Sequence, residues 1–455
     1  MIDLDFILKS TNGTLLSGDQ GQSFTAVSTD SRKVAAEDIF FALKGESFDG
    51  HEFVEDALNK GAAGAVIEND TNLSLHNDKI IIKVPSTLEA LGSLASSWRR
   101  SFPDLKLAAV SGSNGKTTTK EMTWSILSER HNVLKNTGNF NNLIGLPETL
   151  LQLNNDHDMS VVELGMNDFG EIRRLTEIAC PDVGAITNIG RAHLEKLRGI
   201  EGVAKAKSEL VESFGPDNIF VVNADDPRIA AIAENTPCQQ IRFGINARDL
   251  DIRASDIEPE DVSSISFNLN TRDEVLSVRI KGIGLHNVMN AMCASGIALS
   301  MGSGLDEIKA GLEGFSPTTM RLQVIETTQG FKLINDAYNA NPDSMTSAID
   351  ELVRLKGQGR AIAVLGDMLE LGEFSEEQHR AIGRYMSQAG IDYAITMGKF
   401  GPSILEGAGN GLDGIYAESY DQAGRVLKET AKAGDLVLVK GSRGMRMEEV
   451  IKRVL

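Results

Sequence analysis

The chain has 455 residues, a formal net charge of −19 and a hydrophobic fraction of 41%. This length predicts two to four domains with well-buried cores. A strongly acidic protein is not attracted to nucleic acid or to an anionic membrane surface, so we expect neither as a partner. The cysteines Cys180, Cys238 and Cys293 are far apart in the sequence, which argues against a disulfide framework and against a thiolate zinc site.

The N-terminus and the hydropathy pattern predict a cytoplasmic protein. The first residues, MIDLDFILKS, lack a basic start followed by an apolar run, and no uncharged apolar stretch approaches about 18 residues. We therefore expect neither export nor membrane insertion. We also expect the protein to be a monomer.

The first predicted domain, residues 1–82, is a small α/β unit. The runs IFFAL (residues 39–43) and AGAVI (63–67) are typical of strands, and a helix is predicted over residues 50–60.

The second predicted domain, residues 83–315, alternates apolar strands with helices, which indicates a mostly parallel sheet. Its first helix is predicted near residues 88–99, and residues 265–269 and 276–280 are predicted to form an antiparallel hairpin. The other predicted strands are LKLAAV (105–110), SVVELG (160–165), VGAITNIG (183–190) and IFVVNADD (219–226). Because the carboxyl ends of parallel strands carry the site, we expect functional residues directly after them.

The third predicted domain, residues 316–455, has a second α/β pattern that we expect to be Rossmann-like. Its predicted strands are FKLIND (331–336), AIAVLGD (361–367), YAIT (393–396) and DLVLVKGS (435–442). Helices are predicted over residues 343–356, 375–388 and 421–432. The sequence thus predicts an α/β protein of three domains.

The segment SGSNGKTT, residues 111–118, follows a predicted strand and opens a predicted helix. Gly112 and Gly115 allow a tight turn that presents backbone N–H groups to phosphate, Lys116 adds charge, and the Thr117 hydroxyl can reach a phosphate-bound Mg²⁺. The familiar phosphate loop has a further glycine where this chain has Val110. We interpret the segment as a phosphate loop, and the alternative is a glycine-rich turn without a ligand.

Glu163 stands at the end of the predicted strand SVVELG. A carboxylate there is a hard oxygen ligand suited to Mg²⁺, and we expect it to bind the metal. The alternative is a solvated carboxylate at a strand end.

The loop SGSNGKTT resembles that of the Mur ligase family and of the related folylpolyglutamate synthetases. Further motifs resemble this family in its own order along nearly the whole chain. They are STDSRKV, DIFFALKGESFDGHEF, NTGNFNNLIGLPETLL, VVELGMNDFGEI, ITNIGRAHLE, GVAKAKSEL, NADD, GLHNVMNAMCA, INDAYNANPDSM, LGDMLELGE and VKGSRGMRME. The last three are similar to the members that add a dipeptide, and the Asp-Asn-Pro-Arg signature of the members that add meso-diaminopimelate is absent from the sequence.

The resemblance implies an ATP-dependent and Mg²⁺-dependent amide ligase that forms ADP and phosphate through an acyl phosphate. It implies UDP-N-acetylmuramoyl-tripeptide and D-alanyl-D-alanine as substrates, in the last cytoplasmic step of peptidoglycan precursor synthesis. The first domain would hold the UDP-muramoyl substrate, the central domain ATP, and the last domain would complete the ATP and amino-substrate sites. The third residue of the peptide, diaminopimelate or lysine, is left open.

The resemblance also implies roles for individual residues. His193 would contact a second Mg²⁺ or the acyl phosphate, although a lone histidine is more often a packed or surface residue. ATP would be bound by Gly112, Ser113, Asn114, Gly115, Lys116, Thr117, Thr118, Asn287, Asn290, Arg321, Asp336 and Asn339. The other substrates would be bound by Ser31, Arg32, Asn139, Asn142, Lys440, Ser442 and Arg443. The metal would be held by Thr117, Glu163, His193 and a carbamylated Lys207.

Four of these assignments have plain alternatives. Lys207 matches a lysine that several family members carry as a carbamate, and the alternative is a solvated lysine on a charged helix. Asn287 and Asn290 share a helical face and would bond adenine edges, but they also fit a helix N-cap and an ordinary polar position. Around Lys440, the cationic turn KGSRGMR suits a carboxylate or is a capped turn with solvated charges. Arg32 would pair with pyrophosphate, or would form a buried pair with Asp30 that only stabilises the small domain.

Other function classes explain less of the sequence. A mechanical or regulatory P-loop NTPase would use the loop and Glu163 but would leave the first and last domains without a role. A passive nucleotide-binding module has no need of Lys116, Thr117 and Glu163 together. Another amino-acid-adding Mur ligase or a ligase like folylpolyglutamate synthetase is the alternative within the enzyme class.

Overall fold

The computed structural model describes residues 1–45, 48–69, 78–317 and 319–455. The strands are β1 (Ile2–Asp3), β2 (Thr14–Ser17), β3 (Ser23–Phe24), β4 (Val27–Ser28), β5 (Ile39–Phe41), β6 (Gly64–Ile67), β7 (Ile80–Lys83), β8 (Lys106–Ser111), β9 (Val133–Lys135), β10 (Met159–Glu163), β11 (Val183–Ile186), β12 (Ile219–Asn223), β13 (Gln239–Gly244), β14 (Ile252–Pro259), β15 (Ser264–Asn270), β16 (Val275–Lys281), β17 (Gln323–Glu326), β18 (Lys332–Asp336), β19 (Ala361–Leu365), β20 (Tyr393–Thr396), β21 (Gly414–Tyr416) and β22 (Leu436–Lys440).

The α-helices are α1 (Leu4–Thr11), α2 (Val54–Asn59), α3 (Thr87–Arg100), α4 (Lys116–Leu127), α5 (Gly145–Leu150), α6 (Glu171–Ala179), α7 (Leu194–Leu197), α8 (Ile200–Ser208), α9 (Pro227–Glu234), α10 (Leu285–Met301), α11 (Leu305–Gly314), α12 (Pro342–Leu355), α13 (Ser375–Ala389), α14 (Gly401–Ala408), α15 (Tyr420–Thr430) and α16 (Glu448–Val454). Short 3₁₀ turns cover Gly50–Phe53, Gly372–Phe374, Gly409–Gly411 and Arg443–Met445. Among the described residues, no helix is both long enough and apolar enough to cross a membrane.

The described chain divides into two compact units. The first unit comprises Met1–Ala109, His131–Met166 and Gly170–Asp182, and the second comprises Val110–Arg130, Asn167–Phe169 and Val183–Leu455. The α/β class predicted from the sequence is confirmed. The predicted domain boundaries after residues 82 and 315 remain predictions.

The first unit contains a five-stranded sheet in the order β2-β7-β6-β5-β4, parallel except for the β2–β7 pair. Alternate side chains of its central strands serve two cores. Phe41 and Val66 pack in a cluster with residues of α1 and α3, whereas Phe40 and Ala65 pack in a cluster with residues of α2. This alternation is the period of two expected for a strand that is covered on both faces. Strands β9 and β10 of this unit pair in parallel.

The second unit contains strands in the order β16-β15-β14-β13-β12-β11, in which β11 to β14 are parallel and β14 to β16 are antiparallel. The hairpin predicted from the sequence is confirmed, with Ile265 opposite Ile280 and Leu269 opposite Leu276. Helix α10 packs against this sheet, and α4 packs against α10 and α11.

A second sheet of this unit has the order β17-β18-β22-β19-β20-β21 and is parallel except for β17. Its four predicted strands are all present as β18, β19, β20 and β22, and the three predicted helices are present as α12, α13 and α15. Of the strands of the second unit, β13, β14, β17 and β21 were not predicted.

Candidate active site

The predicted phosphate loop lies between β8 and α4, as the sequence indicates. Gly112 has φ +141° and Gly115, the N-cap of α4, has φ +81°, values that favour glycine. A β-carbon at Gly112 would overlap Thr187, and one at Gly115 would overlap the Asn290 side chain. Both glycines are therefore required for the turn and for the close approach of its neighbours.

The loop is held by the residues that follow β11. Ser113 N donates to Asn188 O at 3.0 Å, and Gly190 N donates to Ser113 Oγ at 2.9 Å. Asn114 N donates to Asn188 Oδ1 at 2.9 Å. The loop backbone is thus fixed before any phosphate is bound, which reduces the entropy that a ligand would have to remove.

Lys116 and Thr117 begin α4 and face other parts of the second unit. Lys116 Nζ donates to the carbonyl oxygens of Gly112 at 2.9 Å and Ser113 at 3.4 Å. The buried Thr117 accepts a hydrogen bond at Oγ1 from Arg321 Nη2 at 2.8 Å, and Thr118 beside it is half-buried. The structure therefore brings the predicted residues Lys116, Thr117 and Arg321 together.

Asn287 and Asn290 are buried within α10, whose N-cap is Gly284. Asn290 Oδ1 accepts from Thr119 Oγ1 at 3.3 Å and lies against Gly115, so this side chain supports the phosphate loop. Asn287 Nδ2 donates to Ile283 O at 2.7 Å. The alternative of a helix N-cap is wrong because both residues lie inside the helix.

Asp336 and Lys440 face each other at the carboxyl ends of the paired strands β18 and β22. Lys440 Nζ lies 2.5 Å from Asp336 Oδ2 and donates to Asn339 O at 2.9 Å. Asp336 also accepts from Leu322 N at 3.2 Å, next to Arg321, whose guanidinium stacks on Tyr338 at 4.0 Å. The residues of the third predicted domain that were predicted to bind ATP therefore lie close together, and Lys440 contacts two of them, Asp336 and Asn339.

The turn after β22 separates the residues that were predicted to bind a carboxylate. Lys440 and Ser442 are buried, and Ser442 Oγ accepts from Leu369 N at 2.9 Å and donates to Ala340 O at 3.2 Å. Arg443 is half-exposed and pairs with Glu448 at 2.8 Å. The alternative of a turn with only solvated charges is wrong for Lys440, whose side chain is 3% exposed.

His193 and Lys207 lie in the segment that follows β11. His193 Nδ1 lies 2.6 Å from Glu370 Oε2, and this hydrogen bond lowers the pKa of Glu370. Lys207 is 1% exposed within α8, whereas Lys205 two residues earlier is exposed. The alternative of a solvated Lys207 is wrong, and its carbamylation remains a prediction.

Glu163 ends β10 in the first unit and is 3% exposed, so the alternative of a solvated carboxylate is wrong. Its Oε1 accepts from Asn141 Nδ2 at 2.8 Å, and its backbone N donates to Asn136 Oδ1 at 2.9 Å. Asn139 and Asn142 are exposed nearby in the sequence, and Asn142 Oδ1 accepts from Gly145 N at 2.9 Å.

Ser31 and Arg32, also in the first unit, were predicted to bind the UDP end. Arg32 makes a two-pronged contact with Asp30, with Nε 2.8 Å and Nη2 2.9 Å from its carboxylate oxygens. This contact lowers the pKa of Asp30 to about 2. The Arg32 side chain is 82% exposed, so the alternative of a buried pair is wrong, while Ser31 is buried. Two residues of the predicted GESFDGH loop, Glu46 and Ser47, lie outside the described residues.

The donor set is compatible with Mg²⁺ in its chemistry. In the described part of the chain no three His, Cys, Asp or Glu side chains are grouped closely enough to hold a metal ion. Mg²⁺ does not need such a cage, because it is usually held by one or two protein oxygens together with phosphates and waters. The Thr117 hydroxyl and the Glu163 carboxylate are oxygen donors of this kind, whereas His193 offers a nitrogen that is less typical for Mg²⁺.

Sequence reasoning missed several side chains that contact predicted site residues in the second unit. Asn341, the N-cap of α12, donates from Nδ2 to Asn114 Oδ1 at 2.8 Å. Arg191 pairs with Asp343 at 2.7 Å, and Glu370 pairs with His193. Asn341, Asp343 and Glu370 lie in the motifs INDAYNANPDSM and LGDMLELGE, which were identified without assigning roles to these three residues.

The glycine-rich loop lies between a strand and a helix, and it is contacted by Arg321 and Asn341, which flank strands of the second sheet of this unit. This arrangement indicates a nucleotide-binding α/β protein. Three family models match successive segments of this chain. They are "Mur ligase family, catalytic domain" over residues 23–99, "Mur ligase middle domain" over 110–298, and "Mur ligase, glutamate ligase domain" over 320–443.

Curated relatives and solved structures agree with these models. The UDP-N-acetylmuramoyl-tripeptide–D-alanyl-D-alanine ligase of Bacillus subtilis is 37% identical over 99% of this chain and 97% of its own length. A crystal structure of MurF from Acinetobacter baumannii has a TM-score of 0.92 at 34% identity and covers 100% of this chain and 98% of that chain. The MurF ligase from Thermotoga maritima in complex with ADP has a TM-score of 0.85 at 28% identity, with coverage of 96% and 98%. The chain belongs to the Mur ligase family.

Proposed function

We propose that this chain is an ATP-dependent ligase that joins D-alanyl-D-alanine to UDP-N-acetylmuramoyl-tripeptide and releases ADP and phosphate. The observation that carries the proposal is the 37% identity, over nearly the full length of both chains, to the Bacillus subtilis ligase with that name. The position of the phosphate loop at the start of α4, together with a similar structure that binds ADP, supports the use of ATP.

The proposed reaction has two steps. A terminal carboxylate oxygen of the tripeptide attacks the γ-phosphorus of ATP. The bond from the γ-phosphorus to the bridging oxygen breaks, and ADP leaves with that oxygen. The amine of the dipeptide then attacks the acyl carbon, loses a proton, and displaces phosphate to form the amide. Both steps bring anions together, so the chain must supply positive charge and dipoles at the phosphoryl group.

In this proposal Lys116, Arg321 and the N–H groups of residues 112–118 bind the phosphates of ATP. Lys116 would exchange its two loop carbonyls for phosphate oxygens, which offer stronger, charge-assisted hydrogen bonds. Asn287, Asn290, Asp336 and Asn339 would bind the nucleoside, with Lys440 fixing the carboxylate of Asp336. Mg²⁺, when bound, would neutralise phosphate charge, and Thr117, Glu163, His193 and a carbamylated Lys207 would hold it.

The other two substrates would be bound by separate parts of the chain. Ser31, Arg32, Asn139 and Asn142 would hold the UDP-muramoyl substrate, and Lys440, Ser442 and Arg443 would hold the dipeptide carboxylate. The three domains would be residues 1–82, 83–315 and 316–455, working as a monomer in the cytoplasm. Closure around the substrates would exclude water, which protects an acyl phosphate from hydrolysis.

A coupled assay of ADP release tests the proposal. The purified chain is given ATP, Mg²⁺ and UDP-N-acetylmuramoyl-tripeptide, with either D-alanyl-D-alanine or a panel of single D-amino and L-amino acids. We expect ADP release only with the dipeptide and only when the tripeptide is present. Activity with a single amino acid instead would indicate another member of the family, and ADP release without any acceptor would indicate an NTPase.

A further inference from the structure

His193 and Glu370 form a directed contact in the second unit. His193 Nδ1 lies 2.6 Å from Glu370 Oε2, and their side chains are 21% and 58% exposed. Both residues have left-handed backbone conformations, with φ of +55° and +63°. Residues other than glycine adopt this conformation rarely, and such backbone strain tends to occur at functional sites.

The loop that carries Glu370 is fixed on both sides. Met368 N donates to His379 Nε2 at 2.8 Å, and Leu369 N donates to Ser442 Oγ at 2.9 Å. On the other side, Glu195 N donates to Glu370 O at 3.3 Å. The segment of residues 368–370 therefore contacts the candidate dipeptide turn at Ser442 and the candidate phosphoryl-site histidine at His193.

We propose that Glu370 is a positioning residue that holds His193 in the tautomer with hydrogen on Nδ1. This inference rests on the proposed function of His193 as a ligand of the metal. When Nδ1–H donates to the carboxylate, Nε2 keeps the lone pair that a metal ion requires. The same carboxylate fixes the plane of the ring, so that Nε2 has one direction.

The contact also links His193, through the segment of residues 368–370, to the turn at Ser442 that is proposed to bind the dipeptide. Leu369 is bonded directly to Glu370, and its N–H is held by Ser442. A dipeptide carboxylate that binds at the Ser442 turn would therefore act on the segment that orients His193. Neither residue of this pair is close to the other in the sequence, so the contact exists only in the folded chain.

Nuclear magnetic resonance of the unliganded protein tests the tautomer directly. Protein labelled with ¹⁵N-histidine is measured at alkaline pH, where the ¹⁵N shifts of a neutral ring distinguish its two tautomers. The His193 signal is assigned by its loss in His193→Gln. We expect the Nδ1–H tautomer in the parent protein and in Glu370→Gln, whose side-chain carbonyl still accepts the hydrogen bond. In Glu370→Ala we expect the Nε2–H tautomer that unconstrained imidazole prefers.

Steady-state kinetics provide the second measurement. Glu370→Ala should lower kcat by about 10-fold to 100-fold, the usual effect of removing the partner of a ligating histidine. KM for the dipeptide and for UDP-muramoyl-tripeptide should stay within about twofold, because neither is bound by Glu370. Glu370→Gln should recover most of kcat. Glu373→Ala, an exposed carboxylate three residues later in the same loop, is the matched control and should retain full activity.

The outcomes separate this inference from the proposed function. An unchanged tautomer in Glu370→Ala, or the Nε2–H tautomer in the parent protein, would overturn the positioning role. A fall in kcat that Glu370→Gln does not share, together with the tautomer change, supports it. If the parent protein ligated no dipeptide, the proposed function would fail, and the tautomer measurement would still decide the role of Glu370.

Discussion

At the scale of single residues, the cations that would meet ATP and the UDP-sugar are already engaged by acceptors of this acidic chain. Lys116 is bonded to loop carbonyls, Arg321 donates to Thr117, and Arg32 pairs with Asp30. The carbonyl and hydroxyl partners are uncharged, and Arg32 is itself 82% exposed, so exchange for a phosphate costs little. The chain thus keeps its cations in place until a more highly charged anion replaces the first acceptor.

Replacing Lys116 tests this exchange. Lys116→Ala should lower the rate of ADP release by at least about 10²-fold, as for the loss of other single electrostatic stabilisers of a transition state. The melting temperature should change little, since the contacts of Lys116 with the carbonyl oxygens of Gly112 and Ser113 lie within the loop itself. Lys106→Ala, an exposed lysine at the start of β8, serves as the control. Ligation by Lys116→Ala at the parent rate would refute the assignment of the phosphate loop.

At the scale of elements, the start of α12 combines two tasks in one side chain. Asn341 Oδ1 accepts from Ser344 N at 2.9 Å and caps the helix, while its Nδ2 donates to Asn114 of the phosphate loop. Pro342 follows at the first helical position, where a missing N–H is tolerated. The side-chain amide of Asn341 therefore connects the start of a helix to the predicted phosphate loop.

Two substitutions of Asn341 separate these tasks. Asn341→Asp keeps the capping oxygen but replaces the donor with a carboxylate that faces Asn114 Oδ1. We expect nearly unchanged stability and a higher KM for ATP, measured by thermal unfolding and by ADP release. Asn341→Ala removes the cap as well, and should cost about 1 kcal/mol of the free energy of unfolding. Equal melting temperatures for the two variants would mean that the cap contributes nothing.

The pH dependence of stability should report on helix α13. His379 is buried, donates from Nδ1 to Ser375 O at 2.6 Å, and accepts from Met368 N at 2.8 Å through Nε2. Burial lowers the pKa of His379, so the folded state prefers the neutral ring. The unfolded chain binds a proton below about pH 6.5, and stability must fall as the pH drops below that value.

Thermal unfolding between about pH 5 and 8 measures this loss. We expect the melting temperature to fall on acidification, and to fall less steeply in His379→Gln than in the parent protein. Some slope should remain, because burial also lowers the pKa of His286. His131→Gln, which replaces a histidine whose side chain is 36% exposed, is the control for the substitution itself at one pH. An identical slope in His379→Gln and the parent would contradict the assignment.

Local sequence predicted strands with a clear apolar pattern, such as β19, and missed strands without one, such as β14. AIAVL of β19 is apolar throughout and buried, so its composition alone indicates a strand. IRASDIEP of β14 carries acidic residues and a proline, and its extended form is stabilised by pairing with β13 and β15. Such pairing is non-local, and a single segment does not reveal it.

The same distinction holds for the site. The phosphate loop was predicted because Gly112, Gly115, Lys116 and Thr117 lie in one short segment, so their spacing carries the geometry. The contact of Asn341 with Asn114 joins residues 227 positions apart, and that of Glu370 with His193 joins two different motifs. Single asparagines and glutamates are common on protein surfaces, and only the fold shows which of them contact the predicted site residues.

At the scale of the whole molecule, the first predicted domain, residues 1–82, is proposed to bind the UDP end of the substrate. Arg32 lies there, its side chain is 82% exposed, and its described partner is Asp30. An exposed pair of this kind contributes little to stability. The exposure therefore favours a role in binding over a role as a structural clamp, which was the alternative from sequence.

Arg32→Ala distinguishes the two roles. We expect KM for UDP-N-acetylmuramoyl-tripeptide to rise about 10-fold or more, because a charge-assisted contact with pyrophosphate is lost from the ground state and transition state alike. KM for ATP and for the dipeptide should be unchanged, since residues of the other two predicted domains are proposed to bind them. Lys33→Ala is the matched control, because its side chain is 78% exposed and its ammonium lies 3.9 Å from the same Asp30. If Arg32→Ala instead melted early but bound UDP-sugar peptide normally at low temperature, Arg32 would be a stabilising residue, and the first block would need another anchor for pyrophosphate.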